Sequence, residues 1–438
     1  MVKTEIDYKK IGKNLYSLME DLFPICRSIT GNGVRETLKI IKKIIPVEIK
    51  EVPSGTKVFD WVIPKEWNIK DAYVKDSKGN KIIDFQKTNL HVMNYSIPIH
   101  KKIKLKELKP HLFTLPDHPD WIPYAHSYYK ENWGFCLTHN QYKKLKEDTY
   151  EVFIDSTLKN GSLTYGEYYI KGKSKDEILF TCYICHPSLC NDSLSGVVLV
   201  TYLAKLLSKM KLKYSYRFLF IPETIGAITW LSQNEKKTKN IKYGLVATCL
   251  GDPGKYTYKK TRNGDTLIDK IVEKVLFDSK EDHQILDFWP IGSDERQFCS
   301  PGFNLNVGSL MRTVYGCFPQ YHTSGDNLDF VDKKYLTGSF EKYMDAVYIF
   351  ENNASYMNLN PKCEPQLRKR GFYDMAEKVD PDPVLVEVFI NELLWVLNFS
   401  DGNNSILDIA IRSGRDFKKI KYAADALVNK KLLKKIDK

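Results

Sequence analysis

Two histidines and several carboxylates stand out because each follows an apolar run. Residues 178–185 (Ile-Leu-Phe-Thr-Cys-Tyr-Ile-Cys) lead into His186-Pro187, Asp192 follows, and Gly196 opens a second apolar stretch over 197–207. The first run reads as a strand buried on both faces and ended by a proline, which has no N–H to give a ladder. Glu223 follows the run 216–221, Asp252 follows 244–250, and His322 and Asp326 share the loop Tyr-His-Thr-Ser-Gly-Asp. Imidazole and carboxylate are ligands that zinc prefers, and a glutamate beside such a site can accept a proton from water. The chemistry on offer is metal-assisted hydrolysis. Taken singly, each histidine could be a hydrogen-bonded core residue, and Asp192 could be a helix N-cap.

For these groups to meet, the strands must be neighbours ending on one edge of a sheet. The pattern from about 150 predicts this: strands over 150–154, 163–170, 178–185, 216–221, 244–250 and 303–307, with helices beginning near 197, 227, 266 and 332. Helices over 6–22 and 34–45 and a strand over 47–52 precede them. Alternation of this kind gives an α/β fold, a mainly parallel doubly wound sheet. Residues 53–140 have a different texture of short alternating runs, a small β domain inserted into the α/β one. The aromatics of 121–135 read there as a packing layer rather than a substrate-facing wall. His91, His100, His111, His118, His126 and His139 match no metal spacing and read as surface or core histidines. Beyond 365 come a linker signal at Pro381-Asp382-Pro383, helices over 384–397, 405–412 and 417–429, a turn over 401–404 and a strand over 432–436. That is the order of a winged helix-turn-helix. The expected domains are 1–52 with 141–365, 53–140, and 366–438.

The 438 residues carry 66 basic and 54 acidic side chains, a net charge of +12 spread along the chain, which reads as solvated surface. No apolar run approaches the ~18 residues of a membrane span, and the N-terminus lacks the apolar core of a signal peptide. Nine cysteines without a CxxC pair read as reduced thiols of a cytoplasmic protein, Cys182, Cys185 and Cys190 among them as small buried hydrophobes. The helix over 417–429 carries Lys418, Lys419 and Lys421, but its middle is alanine and it has no arginine. Protein contact is therefore the preferred reading over DNA.

The series His186, Asn191-Asp192, Gly196-Val197, then Glu223-x-x-Gly226, Ser293-Asp294 and Tyr321-His322-Thr323 with Asp326 resembles the zinc aminopeptidases that hold two metals, over roughly 160–350. With the inserted β domain and the terminal winged helix, the chain resembles a bacterial aminopeptidase-like family often found beside polysaccharide-biosynthesis genes. The resemblance implies a zinc-aminopeptidase-type fold, His186, Asp192 and His322 as metal ligands, Glu223 as general base, and cleavage of a peptide amide. The sequence departs from the pattern at four places. Thr224 stands where a second glutamate binds metal, Thr248 where an aspartate does, Ser188 where an aspartate orients the first histidine, and Glu295 in place of the histidine of Ser-Asp-His. With one ligand lost from each metal position, one zinc ion is expected, two being the alternative. Glu295 and Asp252 are candidate further ligands or substrate contacts, and Asp294 and Asp326 candidate supports of the ligands. The competing functions are an altered member that binds or modifies a polysaccharide precursor, and a DNA-binding regulator. The expected partners are a small-molecule or peptide substrate and, through the winged helix, a protein or a second copy. Nucleic acid is the lesser choice for 366–438, and no membrane contact is expected.

Overall fold

The run that ends at His186 forms the strand Glu177–Tyr183, buried at all seven positions. The computed structural model describes residues 6–374 and 383–436. Parallel neighbours lie on both sides of this strand, Ser215–Ile221 and Ile241–Ala247. Its continuous apolar character follows from that position, because covered strands have no solvated face. The whole sheet has eight strands, in the order Glu48–Pro53, Ser162–Ile170, Ser215–Ile221, Glu177–Tyr183, Ile241–Ala247, Val307–Met311, Tyr256–Lys259, His283–Leu286. The four strands from Ser215–Ile221 to Val307–Met311 are mutually parallel, so their carboxyl ends share one edge. Outside them the sheet turns antiparallel on both sides. Among these elements, the strand expected at 303–307 lies at Val307–Met311, and the two strands beyond it were not expected.

Helix Ser195–Leu207 follows the key strand and is almost wholly buried. Gly196 is required where it starts: a Cβ there would sit 1.9 Å from the carbonyl oxygen of Ala247. The helix can approach strand Ile241–Ala247 only because that side chain is missing.

The insert is an antiparallel four-stranded sheet, ordered Lys81–Asp84, Glu66–Lys75, Thr149–Lys159, Ile99–Lys104. Its expected limit at 140 is therefore too early. Strand Thr149–Lys159 pairs along its whole length inside the insert, and the main sheet resumes only at Ser162. Arg35 ties the insert to the main sheet. Its guanidinium donates to Glu66 Oε1 and Oε2 at 2.8 and 2.7 Å, to Glu51 Oε1 at 2.7 Å and to Ser162 Oγ at 2.9 Å. A forked pair of this geometry is stronger than a single-point ion pair.

A second unit comprises residues 270–281 and 342–438. It contains helices Pro383–Phe399, Ile406–Ser413 and Phe417–Asn429 and a three-stranded sheet of Asp401–Ser405, Ser355–Asn358 and Leu433–Lys435. Ser405 and Asp408 form a reciprocal N-terminal cap, and Gly414 ends the same helix at φ 65°. The turn expected at 401–404 is a strand, and Ser355–Asn358 pairs with it and with Leu433–Lys435. The domain thus starts before the expected 366. Of the linker signal, Pro381 and Asp382 lie outside the described residues, and Pro383 begins a helix. Among the described residues no helix is long and apolar enough to cross a membrane.

The Arg35 fork lowers the Glu66 carboxyl from 4.5 to about 2, chiefly through its hydrogen bond. A depressed carboxylate stabilises the fold above its unfolded value and loses that contribution as pH falls through the folded one. Thermal unfolding of wild type and Glu66→Gln is expected to differ most at neutral pH, the gap closing between about pH 4.5 and about pH 2. A gap independent of pH would contradict the assignment.

Candidate metal centre

The loops that leave the parallel strands at their carboxyl ends carry the site. His186 and Asp192 come from the loop after Glu177–Tyr183, Glu223 from the end of Ser215–Ile221, and His322 from the loop after Val307–Met311. His186, Asp192 and His322 each offer one ligand atom, all within 4.8 Å of one another, and no other such group occurs among the described residues. His186 Nε2 lies 3.8 Å and His322 Nε2 2.9 Å from Asp192 Oδ2. Ligand atoms around a tetrahedral zinc stand about 3.3 Å apart. Despite their closeness, Asp192 Oδ2 and His322 Nε2 do not align as acceptor and donor, and neither has a hydrogen-bond partner. Two buried polar atoms this close without an aligned hydrogen bond between them fit a cation held by both.

The protonation states suit that purpose. Burial lowers His186 to about 4, so its imidazole is neutral. Burial alone would raise Asp192, but His186, His322 and the Tyr183 hydroxyl hold it down to about 2. Glu223 Oε2 lies 3.7 Å from His186 Nε2. Burial first, then the charges of Asp294 and Asp192, keep the Glu223 carboxyl well above the usual range. A carboxyl so raised holds a proton more readily than an exposed one, which suits a group that passes protons on.

The supports are specific. Tyr183 donates to Asp192 Oδ1 at 2.5 Å and also contacts Thr248 Oγ1 at 2.6 Å, leaving only Oδ2 to face the centre. Asp326 receives the N–H groups of Asn191 and Asp192 at 2.6 and 2.9 Å. Asp294 Oδ1 receives the Thr224 N–H at 2.7 Å and so sets the turn that presents Glu223. Burial raises both Asp294 and Asp326 to about 7. Asp192 makes no cap: the following helix has no side-chain cap bond. Ser188, Ser193, Thr224, Cys249 and His322 all have positive φ, from 40° to 108°. Each non-glycine residue so placed costs about 1–3 kcal/mol, and such strain concentrates at functional sites.

Two expected contributors are elsewhere. Asp252 uses both oxygens within its own loops, accepting from Gly254 N–H at 2.8 Å, Asn191 Nδ2 at 3.0 Å and Thr313. Glu295 is buried against Lys259 Nζ at 2.7 Å and Tyr315 OH at 3.2 Å. Neither belongs to the cluster around Asp192. Sequence reasoning also missed several members. Asn191 ties its loop to Asp252 and Gly251, and Arg27 Nε donates to the His186 carbonyl at 2.9 Å. The aromatic stretch is not only packing. The Tyr124 N–H donates to the His322 carbonyl at 2.7 Å. Tyr124, His126, Tyr128 and Tyr129 line a cavity of about 350 Å³ with His186, Glu223, Arg296 and His322. His126 stacks on Tyr128 with ring centroids 4.1 Å apart, so it is a wall residue that ligand spacing could not reveal.

This sheet, with its loops at the carboxyl edge, is the zinc-aminopeptidase fold. The Bacillus subtilis zinc aminopeptidase BSAP superposes with a TM-score of 0.56 at 12% identity, over 77% of this chain and 94% of that one. The chain belongs to the family described as a domain of unknown function, DUF4910, which it matches over residues 16–353; residues 354–435 match a winged helix-turn-helix family. A Clostridium acetobutylicum protein, provisionally named as a polysaccharide biosynthesis protein with an aminopeptidase-like domain, is 62% identical over 423 residues, 97% of this chain and 96% of that one. A crystal structure from the same species, of a provisionally named peptidase, superposes with a TM-score of 0.93 at 61% identity over 98% of both chains.

If Tyr183 fixes which oxygen of Asp192 faces the centre, Tyr183→Phe should weaken binding of Zn²⁺ or Co²⁺ by about 10–100-fold in isothermal titration calorimetry. Unchanged affinity would remove Tyr183 from this role.

Proposed function

We propose that this protein is a metal-dependent hydrolase of an amide bond, with one zinc ion on His186, Asp192 and His322. The observation that carries the reading is the pair of buried, unpartnered atoms, Asp192 Oδ2 and His322 Nε2, 2.9 Å apart. Glu223 opens onto the same cavity. Zinc supplies Lewis acidity, which polarises a carbonyl and lowers the pKa of water. Glu223 accepts the proton of the attacking water on its carboxylate and delivers it to the departing amide nitrogen. Tyr183 and Asp326 keep Asp192 oriented, and the aromatic wall of Tyr124 and Tyr128 limits water at the bond being cut. The cytoplasm is the compartment we assign, on nine free cysteines, six of them buried.

A second reading keeps the fold without peptidase activity, for binding or modifying a polysaccharide precursor. The Clostridium protein's name favours it, as do Thr224 and Thr248 where zinc aminopeptidases carry acids. Contact with protein is the role we assign to the winged helix. Lys418 is paired with Asp345 at 2.7 Å, and Lys421 with Asp425, so two of its three clustered lysines are already engaged.

Elemental analysis of purified protein is expected to find zinc. Glu223→Gln should retain the metal and lose about 10²–10⁴-fold in amide hydrolysis. Metal-free protein that refuses added zinc would end the hydrolase reading, and zinc-loaded protein that hydrolyses no aminoacyl amide would favour the second. Duplex DNA should show no salt-sensitive mobility shift with the full chain; a shift that weakens with added salt would restore the regulator reading.

A further inference from the structure

Among the described residues, one cation lines the cavity beside Glu223, and it is a fixed one. Arg296 Nη2 donates to Thr224 Oγ1 at 2.7 Å, while its Nε is buried and has no acceptor. Thr224 is itself immobilised, with φ 61° and its N–H held by Asp294. The guanidinium is therefore aimed before any ligand arrives, and it carries an unspent buried donor. A buried N–H left without an acceptor is costly, and more so on a charged group.

The other lining groups favour the same ligand sign. Among the described residues, Glu223 is the only carboxylate lining the cavity, and it already faces His186. Trp61, Tyr124, Tyr128 and Tyr129 make up much of the remaining wall. The hydroxyls of Tyr124 and Tyr128 are bonded to each other at 2.6 Å. A free ammonium group would meet the Arg296 guanidinium, with Glu223, set against His186, as the one carboxylate among the described lining residues. A carboxylate would find a planar donor group of matching geometry.

We infer that Arg296, held by Thr224, is a specificity-determining residue that selects substrates bearing a carboxylate on a small body with an apolar face, and that the cavity discriminates against substrates with a free amine. This deepens the amide-hydrolase reading and rests on it for the bond that is cut. The charge preference itself is read by binding and needs no turnover.

The test uses a near-isosteric pair, N-acetyl-phenylalanine (anionic) and N-acetyl-phenylalaninamide (neutral), and the smaller phenylalaninamide, which carries a free amine (cationic). Calorimetry on the full chain after EDTA treatment excludes carboxylate–zinc contact. The anion is expected to bind at least about tenfold more tightly than either of the others. Arg296→Met should abolish that preference while leaving the neutral ligand's affinity unchanged, and Arg296→Lys should keep part of it. Thr224→Val, which removes the acceptor that aims Arg296 at nearly constant shape, should reduce the preference with the guanidinium still present. Equal or tighter binding of the cationic ligand, no anion binding up to about 10 mM, or an unchanged order in Arg296→Met would each overturn the inference. Turnover separates the two claims. Zinc-loaded protein that binds the anion and cleaves no amide would sink the hydrolase reading alone, while preferential cleavage of phenylalaninamide would sink the carboxylate preference alone.

Discussion

One buried carboxylate joins the two halves of the centre. Asp326 accepts the N–H groups of Asn191 and Asp192, and its own carbonyl accepts the N–H of Cys190 at 3.1 Å. The loop of His186 and Asp192 is thereby fastened to the loop of His322 by three hydrogen bonds. Without that link, the imidazole of His322 and the carboxylate of Asp192 would sit on two independent connections at neighbouring strand ends. The strained backbone at Ser193 and His322 is tolerable because the surrounding bonds over-determine it. Asn191 extends the tie to a third loop, with its side chain on Asp252 and the Gly251 N–H.

The insert completes the site rather than decorating it. Ile122 and Tyr124 exchange backbone and side-chain hydrogen bonds with the loop of His322 and Ser324. The Tyr124 ring lies 5.4 Å from that of His186 and 5.2 Å from that of His322. Packing of this kind fixes the imidazoles in orientation as well as position. The Arg35 fork performs the matching task at the other margin, where strand Glu66–Lys75 meets strand Ser162–Ile170. The departures from the zinc aminopeptidases then acquire a physical sense. Thr248 donates to the Tyr183 oxygen, whose own proton goes to Asp192, and Thr224 accepts from Arg296, so positions where the resemblance implies acids here carry neutral hydroxyls.

Much of the fold was legible because burial and periodicity are local properties. The strand Glu177–Tyr183 announced itself by an unbroken apolar run, and helix Phe417–Asn429 by its spacing. Strand Thr149–Lys159 was visible as a strand but was assigned to the wrong sheet, since alternation reports a half-buried face and not the partner beneath it. The last two strands of the sheet, Tyr256–Lys259 and the edge strand His283–Leu286, were invisible, being short and flanked by polar residues.

The sequence by itself singled out His186, Asp192, His322 and Glu223, which the fold brings to one edge of the sheet, because each lies at or just beyond the end of an apolar run or in a recognisable loop motif. Only the tertiary structure decided which other polar residues join them. Asp252 and Glu295 had equal standing as letters in a chain, yet one is held by Gly254 and Thr313 and the other is paired through Oε1 with Lys259. His126 and Arg296, without a motif, line the cavity. The reason is physical: a side chain's type is fixed by covalent chemistry, but its available atoms depend on which neighbours the packed fold brings within hydrogen-bond reach.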